Sequence, residues 1–269
     1  MKIYTYYEEL PAGSAGTPGE FFKRQEELIE LWKYSWKKQG FDPVVLGPRD
    51  AEKYPNYNKL MANIKKFHKK ITGAGIENDY ELACFKRWFA YATCPGYYLT
   101  SDYDIINFSF NPYTENNNIE EPLVKIDEHG NIVDINQLTF FAAMCPCLNA
   151  GYQKQYIKMA EGFSSITRDR LKDIIDVYTD KEKKQSCGLH PSGGYHDQDF
   201  FVVNFGSIEA NPNSRELQQE YKIGFRHFSG WEHYSKHYVW SYLLERSEYK
   251  DIDWQDIRIL EIRKCLELS

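Results

Sequence analysis

The stretch "YYLTSDYDIINF" (Tyr97 to Phe108) sets two carboxylates, Asp102 and Asp104, one residue apart inside an otherwise apolar run. The aromatics, the threonine and the isoleucines are strand formers, so the run reads as a β-strand with the acids near its C-terminal end. In an extended chain residues i and i+2 share a face, which predicts that both carboxylates look out on one side. Two bare carboxylates close together in a partly apolar cleft are costly. A divalent cation removes that cost, and carboxylate oxygens are hard ligands suited to Mg2+ or Mn2+. Such an ion keeps open positions that substrate phosphates commonly fill. The plainer reading is an Asp-rich turn, or Asp104 as a cap.

Other residues have chemistry-bearing spacings. "HDQDFF" (His196 to Phe201) carries a second acidic pair, Asp197 and Asp199; the plainer reading is the acidic first turn of a helix. Lys86 and Arg87 form a basic pair on an expected helix, facing either an anion or solvent. His233 and His237 lie four apart, a spacing zinc can use, but no third ligand or intervening Glu stands where such a site needs it. "PAGSAGTPGE" is Gly-rich after a first strand yet contains neither G-x-x-x-x-G-K-[ST] nor G-x-G-x-x-G.

The elements that must position these residues follow from periodicity. "KIYTYY" reads as a strand, and "GEFFKRQEELIELWKYSWKKQG" (Gly19 to Gly40) as a helix with Phe21, Leu28, Leu31, Trp32 and Ser35/Trp36 near helical spacing and Gly40 as the stop. "FDPVVLG" is the next strand. Strand, helix, strand is the signature of a parallel sheet with a right-handed crossover. "PRDAEKYPNYNKLMANIKKFHKK" predicts a broken helix. "NDYELACFKRWFAYATC" predicts a firmer one, with Leu82, Phe85, Phe89 and Tyr91/Ala92 inward and Pro95-Gly96 as its end. The acids then fall at the C-terminal end of a central strand, where ligands bind in open α/β sheets. Residues 109 to 135 read as polar loop and short strands with "DEHGN" as a turn. "QLTFFAAMCPCLNAGYQKQYIKMAEGF" predicts an apolar strand, an "NAG" turn, then a helix or strand pair. "SITRDRLKDIIDVYTDKEKK" predicts a helix, "YKIGFRHFSGWEHYSKHYVWSYLLERS" strand, turn and helix, and "DWQDIRILEIRKCLEL" an amphipathic C-terminal helix.

A net charge of -6 argues against a nucleic-acid partner, which needs a basic footprint. The local basic clusters "KKFHKK" and "DKEKKQ" read as solvated faces or loops. With 21 Tyr, 16 Phe and 6 Trp the chain can build walls that suit sugars or nucleobases, or simply aromatic cores. Six scattered cysteines, only Cys145 and Cys147 close-set, point to reduced thiols. "MKIYTYYEEL" lacks the continuous apolar stretch of a signal peptide, and no run approaches a membrane span. The expectation is a soluble, cytoplasmic protein with no transmembrane segment.

Taken in order, these pieces resemble GT-A glycosyltransferases, which transfer a sugar from a nucleotide sugar. "RWFAYATCPGYYLTSDYDIINF" is similar to their helix, glycine and strand block ending in Asp-x-Asp. Arg87 is in the helix, and Pro95-Gly96 stands where a Gly pair is usual. "CLNAG" (Cys147 to Gly151) is similar to an F-N-x-G turn, and "HDQDFF" to the D-Q-D element of the glycogenin-like and lipopolysaccharide-galactosyltransferase-like families. "RHFSGWEH" (Arg226 to His233) is similar to their H-F-x-G segment, although "WEHY" replaces the usual K-P-W.

The resemblance implies an α/β, GT-A-like single domain over residues 1–269, with a mixed, mostly parallel central sheet flanked by helices. Residues 1–108 would be the nucleotide-sugar half. Residues 109–269 would bind the acceptor and complete the metal site. It implies Mn2+ (or Mg2+) on Asp102, Asp104 and His227, holding a nucleoside-diphosphate sugar. Donor contacts would come from Tyr4, Thr5, Tyr6, Arg87, Tyr103 and Asn149, with Tyr7 beside them. Asp197, Gln198 and Asp199 would be catalytic, in a pattern closer to retaining families. Tyr195, His196 and Trp231 would meet a glycan or glycoconjugate acceptor. Two other classes stay open: a nucleotidyltransferase or phosphoryl-transfer enzyme with a paired-Asp metal site, and a sugar-binding protein without turnover.

Overall fold

A computed structural model describes residues 1–10, 24–73, 79–110, 148–180, 182–183, 197 and 248–268, and the backbone of 139–140, 225–227 and 247. The first strand, β1 (Lys2–Tyr6), has four successive buried residues. That pattern belongs to a parallel strand covered on both faces. β1 leads through α1 (Gln25–Lys38) to β2 (Asp42–Leu46), and the two strands pair in parallel from Lys2↔Asp42 to Tyr6↔Leu46. The expected opening unit is therefore present, and Gly40 ends α1 at φ +83, a conformation that glycine adopts without strain.

α2 (Pro48–Glu52) and α3 (Tyr57–Thr72) are the two pieces of the broken helix, separated by Asn56 in the left-handed region. α4 (Asp79–Ala92) buries Leu82, Phe85, Phe89, Tyr91 and Ala92 as its spacing predicts. β3 (Tyr97–Ser101) pairs in parallel with β1, and β4 (Ile105–Asn107) follows. β5 (Thr139–Phe140) and β6 (Leu148–Tyr152) complete the main sheet. Then come α5 (Gln153–Ser164), α6 (Arg168–Thr179), β7 (Phe225–His227) and α7 (Trp254–Cys265). The five-stranded sheet has the order β2-β1-β3-β6-β5, with β6 antiparallel to both its neighbours. Four of its strands thus run one way, giving the mixed, mostly parallel sheet expected. β4 and β7 form a separate antiparallel pair.

The sheet is a middle layer. On one face Ile3, Leu99, Leu148 and Ala150 pack with Trp32 and Trp36 of α1 and Ile257, Ile259 and Ile262 of α7. On the other, Tyr4, Tyr6 and Tyr98 pack with Trp88 and Phe89 of α4 and Tyr156 and Phe163 of α5. Tyr98 stacks on Tyr156 at 4.6 Å between ring centroids, a pair contributing about 0.5–1.5 kcal/mol beyond its buried area.

Three expectations are corrected. "NAG" is not a turn: Asn149, Ala150 and Gly151 lie within β6 and pair with Thr100, Leu99 and Tyr98. The ladder with β3 supplies their backbone hydrogen bonds, so small residues do not break the strand. Asp102 and Asp104 do not continue the strand. β3 ends at Ser101, and the Ile105 amide donates to the Asp102 carbonyl at 3.1 Å, closing a turn across the acids. α7 is not amphipathic in the ordinary sense, since it buries Arg258 and Glu261 and exposes Leu260. No helix among the described residues is long and apolar enough to cross a membrane. The expected elements within 111–138 and 228–246 lie outside the described residues.

Candidate functional site

The acidic turn is built into the C-terminal edge of the sheet and held from behind by α1. Trp32, Ser35, Trp36 and Gln39 follow helical spacing, so their polar tips line one face. The Trp32 indole N–H donates to Ser101 Oγ at 2.8 Å, and that of Trp36 to the Ile105 carbonyl at 3.0 Å. Ser35 Oγ accepts from the Asn107 amide at 3.2 Å, and Gln39 Nε2 donates to the Phe108 carbonyl at 2.6 Å. Residues before and after Asp102–Asp104 are therefore fixed to one rigid helix, and the turn has little freedom to shift.

Side chains alternate along β3. Tyr98 and Thr100 face α4 and α5, and Asp102, just past the end of the strand, meets Arg87 of α4. Arg87 Nη1 donates to Asp102 Oδ1 at 2.7 Å. Its Nε and Nη2 donate to Asp197 Oδ2 at 2.8 and 2.5 Å, joining residues 110 positions apart. Trp88 Nε1 donates to the same oxygen at 2.7 Å. Asp197 is 1% exposed, so its carboxylate is held by these donors rather than by water. Burial works against the Arg87 charge, yet the flanking carboxylates, Asp197 and then Asp102, together hold the guanidinium well above its ordinary value. Lys86, the other member of the basic pair, turns away to Glu8 at 2.6 Å.

Asp104 and Tyr103 lie within electrostatic reach of Arg258 of α7. Burial pushes the Arg258 guanidinium below its ordinary value, and Asp104, Tyr103 and Asp253 oppose that. Burial, followed by Asp104, pushes the Tyr103 phenol up. The Tyr103 ring meets Tyr7 edge-on at 5.7 Å, so the ends of β1 and β3 share an aromatic contact. Each acid of the turn thus has a buried arginine beside it.

The third expected ligand comes close through the backbone. The β4–β7 ladder sets His227 opposite Ile105, the residue after Asp104. The sequence contains no signal for that pairing. Two carboxylates in one three-residue turn and a histidine on the neighbouring strand are a donor set suited to Mn2+ or Mg2+. Among the described side chains no three of His, Cys, Asp or Glu gather into a metal-binding group, and the His227 side chain lies outside that set.

The other candidates are distributed unevenly. Tyr4, Thr5 and Tyr6 are buried core residues of β1, because a central parallel strand is covered on both faces. Tyr4 packs edge-on against Tyr98, and the Tyr6 hydroxyl donates to Glu8 at 2.9 Å. Asn149 is fully buried, and its Nδ2 donates to Thr100 Oγ1 at 3.3 Å. Gln198, Asp199, Tyr195, His196, Trp231, His233 and His237 lie outside the described residues. Arg258 and Trp88 are missing from the sequence-based site. The available signal for Arg258 is a charge four residues after Trp254, on the stripe that α7 turns to the core.

Comparison with known proteins adds one match. Residues 1–105 match the model of a domain of unknown function, DUF8765, a segment running from β1 through the acidic turn. No curated protein and no solved structure matches the chain.

Proposed function

We propose that the chain is a cation-dependent glycosyltransferase of the GT-A type, moving a sugar from a nucleoside-diphosphate sugar to a hydroxyl of a glycan or glycoconjugate, in the cytoplasm. The observation that carries this reading is convergence. Arg87 and Asp102 lie 15 positions apart, and Asp197 and His227 come from distant parts of the sequence. Arg87 joins Asp102 and Asp197 at the C-terminal edge of a mostly parallel sheet, and the backbone of His227 pairs with Ile105 just after the acidic turn.

Asp102, Asp104 and His227 would hold Mn2+ or Mg2+. When bound, the ion supplies Lewis-acid stabilisation of the charge that builds on the departing diphosphate. The chain's own groups do the rest. α1 fixes the turn, Arg87 brings positive charge to a place where a diphosphate would sit, Arg258 faces Asp104 from the core, and Tyr7 with Tyr103 forms an aromatic rim beside it. Asp197 is spent on Arg87 and Trp88, which leaves Gln198 and Asp199 as the catalytic candidates of the D-Q-D element. Tyr195, His196 and Trp231 would meet the acceptor. Burial leaves β1 to serve the nucleotide through its end, Tyr7 and Glu8, with Tyr4, Thr5, Tyr6 and Asn149 supporting that edge from the core.

The arginines give a second reading some support. Two guanidiniums beside the acids could make a purely structural ion network, in a sugar-binding protein without turnover. Thermal melting with a panel of nucleotide sugars, with Mn2+ or EDTA, separates the readings. A binder that needs the cation raises the melting temperature of the folded state only when both are present. If no nucleotide sugar shifts the transition with any divalent cation, the transferase reading fails.

A further inference from the structure

The carboxylate that would receive the cation already has a partner, and that partner is gripped unequally at its two ends. On the Asp197 side, Arg87 donates twice to an oxygen that Trp88 also holds, in a pocket where Asp197 is 1% exposed. On the Asp102 side it donates through Nη1, to a side chain that is 23% exposed. The guanidinium is therefore anchored at Asp197 and presented at Asp102. A cation on either oxygen of Asp102 would stand beside a fixed positive charge, and like charges repel. A diphosphate reverses the sign of the interaction. Its anionic oxygens accept from the same planar N–H groups, which match phosphate geometry.

Resting on the reading of Asp102 and Asp104 as cation ligands, we propose that Arg87 couples the two ligands of the site. It opposes a divalent cation that arrives alone and favours one that arrives with a diphosphate. Coupling of this kind is reciprocal, so the cation strengthens diphosphate binding by the same factor. Asp197 is then a positioning residue, acting through Arg87 rather than on the sugar.

The test is two titrations of the full chain, one with bare Mn2+ followed by electron paramagnetic resonance, one with preformed Mn2+–pyrophosphate followed by calorimetry. Removing Arg87 alone leaves the buried Asp197 carboxylate without a compensating positive charge and invites misfolding. The informative variant is therefore R87Q/D197N, which removes both buried charges, with R87K as the charge-retaining control and a melting curve for each protein. Relative to wild type, the double variant should bind bare Mn2+ about 10-fold more tightly and Mn2+–pyrophosphate about 10-fold more weakly, and R87K should keep the wild-type order. Opposite signs are the diagnostic feature, because a merely structural role moves both titrations together. Equal or same-direction changes overturn the coupling while leaving the cation site standing. A D102N variant that binds Mn2+ like wild type, or no Mn2+ binding by any protein in either form, overturns the cation reading itself.

Discussion

Replacing Asp197 by Asn is the sharpest probe of how the site is assembled. The Asp197 carboxylate is 1% exposed and accepts from Arg87 Nε, Arg87 Nη2 and Trp88 Nε1 at 2.8, 2.5 and 2.7 Å. Asn keeps the shape and a carbonyl oxygen but loses the charge. Hydrogen bonds to a charged group contribute about 1.5–3 kcal/mol each, against about 0.5–1.5 for neutral ones. Three such bonds weakened by about 1 kcal/mol each give a loss of about 3 kcal/mol, at the lower end of the roughly 3–5 expected when a buried ion pair loses one partner. In urea, the midpoint should fall by the equivalent amount with the slope unchanged, because the surface exposed on unfolding is the same. The melting temperature should drop by about 6–12 °C. A destabilisation below about 1 kcal/mol would mean that Asp197 is not the anchor of Arg87, and the geometric argument for the site would go with it.

Two further outcomes follow from the same packing. Trp32→Phe and Trp36→Phe keep most of the ring but remove the donors to Ser101 Oγ and the Ile105 carbonyl; each should cost about 1–3 kcal/mol, measured by denaturant unfolding, and Trp32→Phe should also weaken Mn2+ binding, whereas a surface change such as Lys33→Ala should do neither. Stability should also fall as pH rises above 10. Burial pushes the phenols of Tyr4 and Tyr54 up to about 12 from 10.0. The unfolded chain therefore releases these protons first and binds fewer of them in that window, so the slope of unfolding free energy against pH is negative there. Urea midpoints at about pH 9 and about pH 11 check the sign, and an unchanged midpoint would contradict the burial of these hydroxyls.

Much of the first half of the fold was legible because local patterns and tertiary structure agree. The alternating tyrosines of β1, the helical spacing of Trp32, Ser35 and Trp36, and the Gly40 stop all point the same way. Local pattern did not reveal where strands end. Asp102 to Ile105 has the composition of a strand, but the bond from the Ile105 amide to the Asp102 carbonyl turns the chain. Nor did it reveal β6, whose Asn-Ala-Gly core is a strand only because β3 lies beside it. The tyrosines of β1 could be read as ring surfaces for a nucleobase until the crossover covered both faces of the strand. Arg87, Asp102 and Asp197 were each singled out, but not as partners of one another, since one partner lies 110 positions from Arg87 and the other in the turn. Arg258 sits at a core position of a helix that its polar composition makes look solvent-facing. Buried charges of this kind are chosen by what they face, and a helical pattern cannot show that.

The most direct measurement is release of nucleoside diphosphate from a panel of nucleotide sugars by wild type and Asp104→Ala, each with Mn2+ and with EDTA. The account predicts that one donor is consumed by wild type with Mn2+, that EDTA stops it, and that Asp104→Ala loses both turnover and Mn2+ binding while remaining folded. Turnover and Mn2+ binding that survive in Asp104→Ala, or the absence of any donor consumed by wild type, would contradict it.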